Sequence, residues 1–241
     1  MKKITALVLI IGVAIFVMHG CNGIEPPPPD EDPELQQTVF VEYYMFEGCQ
    51  HCANIKPILE QLVDEYSREE MILVELDIVS FTENRQRFDW YALTPPGVPK
   101  IMFNGLIDSI VGLSTYPIIK SKIEAQLAMK PVVELQASRT FVDDSNIFSG
   151  TVKNIGSDTL TNLVVNGMAF MDRGKTGFHY SVTDIFEDEK ETINSLSPGQ
   201  EVDFSITVEG LDWDGDNLNG VIFVQAVEHA QKAIKQSVFL E

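Results

Sequence analysis

Residues 48–66 read GCQHCANIKPILEQLVDEY, and they decide how the rest of the chain is understood. After Cys52, apolar residues fall at Ile55, Ile58, Leu59, Leu62, Val63 and Tyr66, a spacing that traces one face of an α-helix. Cys49 and Cys52 stand three apart where that helix begins. A thiolate is the attacking species in disulfide chemistry, and the positive end of a helix dipole stabilises one at Cys49. Cys52, one turn further in, is placed to attack a mixed disulfide and release the partner. His51 can steady the thiolate by charge or hydrogen bond. A Cys-x-x-Cys pair is also half a zinc site. Here the chain holds three cysteines, and His19, His179 and His229 lie in other segments, so four ligands for a structural zinc are hard to assemble.

Outward from this helix the pattern is alternating. Thr38 to Phe46 is rich in β-branched and aromatic residues and reads as a buried strand. Met71 to Ile78 reads as a second strand, and Glu83 to Ala92 as a polar helix. Lys100–Phe103, the Asn104-Gly105 pair and Leu106–Val111 form a hairpin signature, because Asn-Gly tolerates the positive φ angles of a type I′ turn. Ser114 or Thr115 then caps a helix carrying Ile118, Ile119, Ile123 and Leu127. The predicted order is β-α-β-α-β-β-α.

With these residues in place, the segment 38–130 resembles the thioredoxin-like superfamily. GCQHCANIKPILEQLVDEY is similar to that family's active-site helix, including Pro57 five residues after the second cysteine. GVPKIMFNG resembles its cis-proline segment, which implies a cis bond at Val98–Pro99 and a docking role for both residues beside Cys49. VGLSTYPIIKSKIEAQL is similar to the closing strand and helix. The resemblance implies a minimal four-stranded α/β domain and thiol–disulfide exchange, with Cys49 and Cys52 as redox pair, His51 as tuning group and no cofactor or metal. Glu47-Gly48 stand where classical members carry a tryptophan before the motif. The family's buried acid falls at Tyr43 here, so Glu42, one residue earlier, reads either as a displaced proton acceptor or as a solvent-facing strand residue. His51 and Val98 lean toward the oxidising members, but only about twenty residues separate the second strand from the cis-proline, too few for the helical insertion those members carry.

From Pro131 the texture changes. Phe148, Gly150 and Val152 alternate with polar neighbours, as do Val202, Phe204, Ile206 and Val208, which predicts strands with one wet face. Turn signals at 154–158, 197–199 and 214–215 separate about seven short strands, and the stretch resembles immunoglobulin-like β-sandwich modules. Asp212, Asp214 and Asp216 have the alternate spacing of a calcium loop but lack its closing Glu, so an acidic turn is the default reading.

The N-terminus reads as an export signal. Met1-Lys2-Lys3 precedes an apolar run from Ile4 to Met18, shorter than the roughly 20 residues of a membrane span. Gly20-Cys21 at its end resembles a bacterial lipoprotein site, with cleavage before Cys21 and lipid on its sulfur; an uncleaved anchor helix is the alternative. Pro26–Pro29 among acids in 21–37 predicts an extended, solvated spacer. The expected organisation is therefore signal 1–20, linker 21–37, thioredoxin-like domain 38–130 and β-sandwich 131–241, held outside the cytoplasm in the cell envelope or periplasm.

Net charge is −19 with no basic cluster, which argues against nucleic-acid partners. The function this reading predicts is an extracytoplasmic thiol–disulfide oxidoreductase acting on thiol- or disulfide-containing envelope proteins. Its rival is a tethered binding or adaptor protein, with a redox-inactive scaffold and a recognising sandwich. A third possibility is copper handling through the two thiols and His51.

Overall fold

The computed structural model describes residues 35–92, 97–171, 180–228 and 230–241. The apolar run, Cys21, most of the 21–37 linker, His179 and His229 lie outside them. Residues 35–241 form one compact unit. Among the described residues no helix is long and apolar enough to cross a membrane.

The first half builds β1 (Val39–Met45), α1 (Gln50–Glu65), β2 (Met71–Asp77), α2 (Thr82–Trp90), β3 (Lys100–Phe103), β4 (Asp108–Val111) and α3 (Tyr116–Leu127). β1 is parallel to β2 and antiparallel to β3, and β4 returns beside β3. Every residue of β1 and β2 is buried, which explains why both read as near-continuous apolar runs rather than alternating ones. The hairpin turn has the positive φ angles its sequence predicts, at Asn104 and Gly105. That turn is not a free tip. Asn104 is buried, its Oδ1 accepts from Phe40 N at 2.8 Å, and a Cβ on Gly105 would stand 2.2 Å from the Lys232 carbonyl oxygen.

The second half is all strand: β5 (Val133–Val142), β6 (Ser145–Asn154), β7 (Leu160–Met171), β8 (Ser181–Ile185), β9 (Glu191–Leu196), β10 (Glu201–Glu209), β11 (Leu218–Ala226) and β12 (Ile234–Leu240). β10-β6-β5 form one sheet, while β12, β11, β7, β8 and β9 join the larger one. The large sheet continues into the first half through a single register pair, Glu75 of β2 with Ser181 of β8. The expected boundary at 130 falls in the short link between α3 and β5, yet strands from both sides of it share this sheet.

Alternation of wet and dry residues holds in β10. β7 and β11 depart from it, because both of their faces are covered. Val165, Ala169, Ile222 and Val224 enter the core between the β-sheets, while Met168, Phe170, Val221 and Phe223 enter the core of the first half. Phe40 of β1 stacks on Phe223 of β11 with centroids 5.3 Å apart. Such a pair contributes about 1 kcal/mol beyond its buried area. The resulting molecule is mixed α/β, mostly strand, with one large sheet serving two cores.

Candidate functional site

Successive residues of a strand point to opposite faces, so β1 divides its side chains between two environments. Tyr43 faces α1: its hydroxyl donates to the Cys52 carbonyl at 2.8 Å. Phe40, Glu42 and Tyr44 face the other way, toward α2 and β11. The candidate site lies at the C-terminal end of β1, where the chain turns through Phe46–Gly48 into α1. Gly48 takes φ +86°, a conformation that costs a side-chain-bearing residue, and its place just before Cys49 follows from that.

Cys49 occupies the N-cap of α1 and is joined to Cys52 by a disulfide. Its Sγ accepts a hydrogen bond from Cys52 N at 3.2 Å. The two sulfurs differ in access. Cys52 is only 2% exposed, whereas Cys49 is half-buried and can be met from solvent. His51 is exposed on the first turn. Pro57 sits inside α1, where it has no N–H to give to the carbonyl four residues back.

Val98–Pro99 is a cis peptide bond. Lys100, the next residue, pairs with Tyr44 of β1, so register sets Val98 and Pro99 level with the end of β1 from which Cys49 departs. The Pro99 carbonyl accepts from Gly112 N at 2.9 Å, tying this loop to the one after β4. Cys49, Cys52, His51, Val98 and Pro99 are thus gathered at one end of the sheet, and Pro57 lies two turns down α1.

Beneath the pair stand groups that no motif announced. Lys56, one turn after Cys52 on α1, reaches Glu75 of β2 with Nζ–Oε2 3.3 Å, and Glu75 is 1% exposed. Burial first, and the Glu75 charge second, push the Tyr43 phenol well above its ordinary range. Tyr43 therefore keeps its proton and holds the Cys52 carbonyl. The sequence signal was Glu75 itself, a charge inside the apolar run MILVELD.

Glu42 matches neither of its expected roles. It is fully buried and faces away from Cys52, taking Arg87 Nε at 2.6 Å, Tyr44 Oη at 2.8 Å and Tyr91 Oη at 2.8 Å. Gln225 of β11 closes the group by donating to Tyr91 Oη at 2.8 Å. This network ties α2 and the second half to β1. In the 212–216 turn, Asp212 Oδ1 accepts from Gly215 N while Trp213 is buried among core residues. Among the described residues no three His, Cys, Asp or Glu side chains converge as a metal site would require.

No protein-family model and no curated protein matches the sequence. Solved structures do match the fold. HBP35 of Porphyromonas gingivalis is 17% identical, with TM-score 0.66 over 85% of this chain and 75% of that one. Protein AGR_C_4864 of Agrobacterium tumefaciens is also 17% identical, with TM-score 0.55 over 84% of this chain and 93% of that one. A thioredoxin from Halobacterium salinarum is 20% identical over 39% of this chain and 80% of its own, at a TM-score of 0.33. The likeness to the first two is one of overall fold.

Proposed function

We propose that this chain is a thioredoxin-like thiol–disulfide oxidoreductase with an immunoglobulin-like β-sandwich built onto it. The observation that carries this is the asymmetry of the pair: an accessible Cys49 at the N-cap of α1, with Cys52 N–H aimed at its sulfur, and a buried Cys52 behind it. In the oxidised protein a partner thiolate attacks Cys49 Sγ, the Cys49–Cys52 bond breaks, and Cys52 leaves as thiolate. The mixed disulfide is then resolved by a second partner thiol, which yields the partner's disulfide and the Cys49/Cys52 dithiol. Run in reverse, the Cys49 thiolate attacks a partner disulfide and Cys52 resolves it. Either direction moves two electrons and needs no metal or organic cofactor. The helix N-terminus lowers the cost of charge on Cys49 in both directions.

The Val98–Pro99 segment serves as the docking edge for an extended partner peptide, because proline presents no N–H there and leaves the residue 98 backbone to pair. His51, on the solvent side of the first turn, tunes the Cys49 thiolate. The partners are envelope proteins carrying thiols or disulfides, and the chain is held to the membrane by lipid on Cys21, at the end of its export signal, with 22–37 as spacer. Mass spectrometry of the N-terminal peptide tests that anchor: a diacylglyceryl group on Cys21 is expected, and an unmodified Cys21 within an uncleaved segment refutes it.

The deciding measurement is the reduction potential of the Cys49–Cys52 couple in glutathione buffers. A value between about −270 and −120 mV fits an exchanging enzyme and its place in that range sets the direction. A bond that those buffers cannot open removes the proposal in favour of a locked scaffold. Cys52→Ala should then accumulate mixed disulfides through Cys49, whose partner chains can be sequenced.

A further inference from the structure

α2 and the second half do not close on one another everywhere. A cavity of about 580 Å³ remains between them, on the face of β1 opposite to α1 and the cysteine pair. The helix contributes Glu83, Gln86, Arg87 and Trp90, which share one face of α2, and β7 contributes Asn162, Val164 and Asn166, which share one face of that strand. Thr192 and Asn194 extend the same wall from β9.

The chemistry of this lining is unusual for a gap left by packing. Val164 and Ile185 give it a short apolar floor, and Trp90, 38% exposed, gives it an aromatic side. The rest divides between carboxamides (Gln86, Asn162, Asn166, Asn194 and Gln225) and charged side chains, of which Arg87 is spent on Glu42. Asn166 is buried and fixed: its Oδ1 accepts from Gly167 N at 2.7 Å and its Nδ2 donates to Glu187 at 3.1 Å. Gln225 is fixed likewise by Tyr91 Oη and the Lys232 carbonyl. Gln86, Thr192 and Asn194 make no side-chain hydrogen bond among the described residues, so their donors and acceptors are available to a guest. The acids at the rim are already engaged. Glu83 accepts from Ile185 N at 3.0 Å, Glu187 from Asn166 and Lys190, and Glu228 from Asn162.

A carboxamide offers donors and acceptors in one plane, and a hydroxyl is both donor and acceptor. A guest rich in hydroxyls meets both the donors and the acceptors of such a wall, whereas an anion uses only its donors and a cation only its acceptors. Trp90 provides what hydroxyls do not: one face of its ring is taken by Lys232, whose Nζ lies 3.9 Å from the centroid, and its remaining aromatic surface is what a ring's C–H face can meet. From this combination we infer that the cavity between α2 and β7/β9 binds a neutral saccharide, with Trp90 as its aromatic contact and Asn194, Thr192 and Gln86 reading its hydroxyls. The site is separate from the cysteine pair and does not depend on the redox reading.

The test uses the full chain with its disulfide intact. An array of neutral glycans is screened first, and hits are titrated by calorimetry and by tryptophan fluorescence, with spermine run in parallel as a cationic probe. The chain has two tryptophans, and Trp213 is buried in the other core, so a fluorescence change reports on Trp90. At least one neutral oligosaccharide should bind saturably. Trp90→Ala and, independently, Asn194→Ala should each weaken it about tenfold, the loss of one good contact, while disulfide exchange stays at the wild-type rate. Asn194 is exposed, so its variant folds even if Trp90→Ala does not. Silence across the array, spermine as the sole ligand, or saccharide binding that neither variant weakens overturns the inference.

Discussion

Glu42 and Glu75 are both buried carboxylates on neighbouring parallel strands, yet they face opposite sides of the sheet and have different company. Glu42 is enclosed by a guanidinium and two phenols, and its network runs on through Gln225 into the second half. Glu75 sits beneath α1 with Lys56, beside the tyrosine that grips Cys52. One face of β1 is therefore a closed polar joint that holds two halves together. The other is the floor under a disulfide. Charge burial is costly on either side. The difference teaches that a fully buried guanidinium–carboxylate pair serves adhesion between the halves, whereas the charge under the reactive end is met by a lysine reaching in from α1.

That contrast predicts a separation of effects. Cys49→Ser should abolish disulfide exchange, measured with a thiol–disulfide peptide pair, while stability in reducing buffer changes by no more than about 0.5 kcal/mol, as for a partly exposed position. A large loss of stability would mean that the site face is as structural as the other. Arg87→Ala takes the guanidinium away from the buried Glu42 carboxylate and should cost about 3–5 kcal/mol in urea unfolding. Pairing it with Glu42→Gln should recover part of that loss, and a purely additive double variant would show that the two side chains are not coupled.

Smaller effects sharpen the picture. Tyr43→Phe removes the donor to the buried Cys52 carbonyl, so unfolding free energy should fall by about 1 kcal/mol. Asp184, on β8 beside α2, is half-buried; burial first, then the charges of Glu83 and Glu189, push its carboxyl up to about 6. The folded state then holds this proton more tightly than the unfolded one. Its stabilising contribution is present below about pH 4 and is lost as pH rises toward 6. After discounting for solvent screening, Asp184→Asn should stabilise the protein by about 1 kcal/mol at pH 7 and flatten the stability profile between pH 4 and 6. An unchanged profile would count against the Asp184 assignment.

Much of this architecture was written in local sequence. The α1 face from Ile55 to Tyr66, the Asn104-Gly105 turn and the order of the first seven elements all follow from short-range periodicity and turn chemistry. So does the placement of Cys49 at a helix start, whereas the cis bond at Val98–Pro99 is what the family resemblance of GVPKIMFNG implies. What could not be read depends on distant segments meeting. Glu42 acquires its meaning from Arg87, which lies on a helix of strongly polar sequence that carries no apolar stripe, and from Gln225 on β11. Burial of β7 and β11 on both faces requires two cores to share them, which period-two alternation in neighbouring strands does not foretell. The cavity beside Trp90 exists only because α2 and β7 come together at one register.

The stacking of Phe40 on Phe223 has a consequence for anyone who wishes to move the cysteine pair to another carrier. Cutting the chain after Lys130 would strip β11 from the far face of β1 and leave Phe40 and the Glu42–Tyr44–Tyr91 group open to water. A transplantable version has to repaint that face first, or carry the strands along.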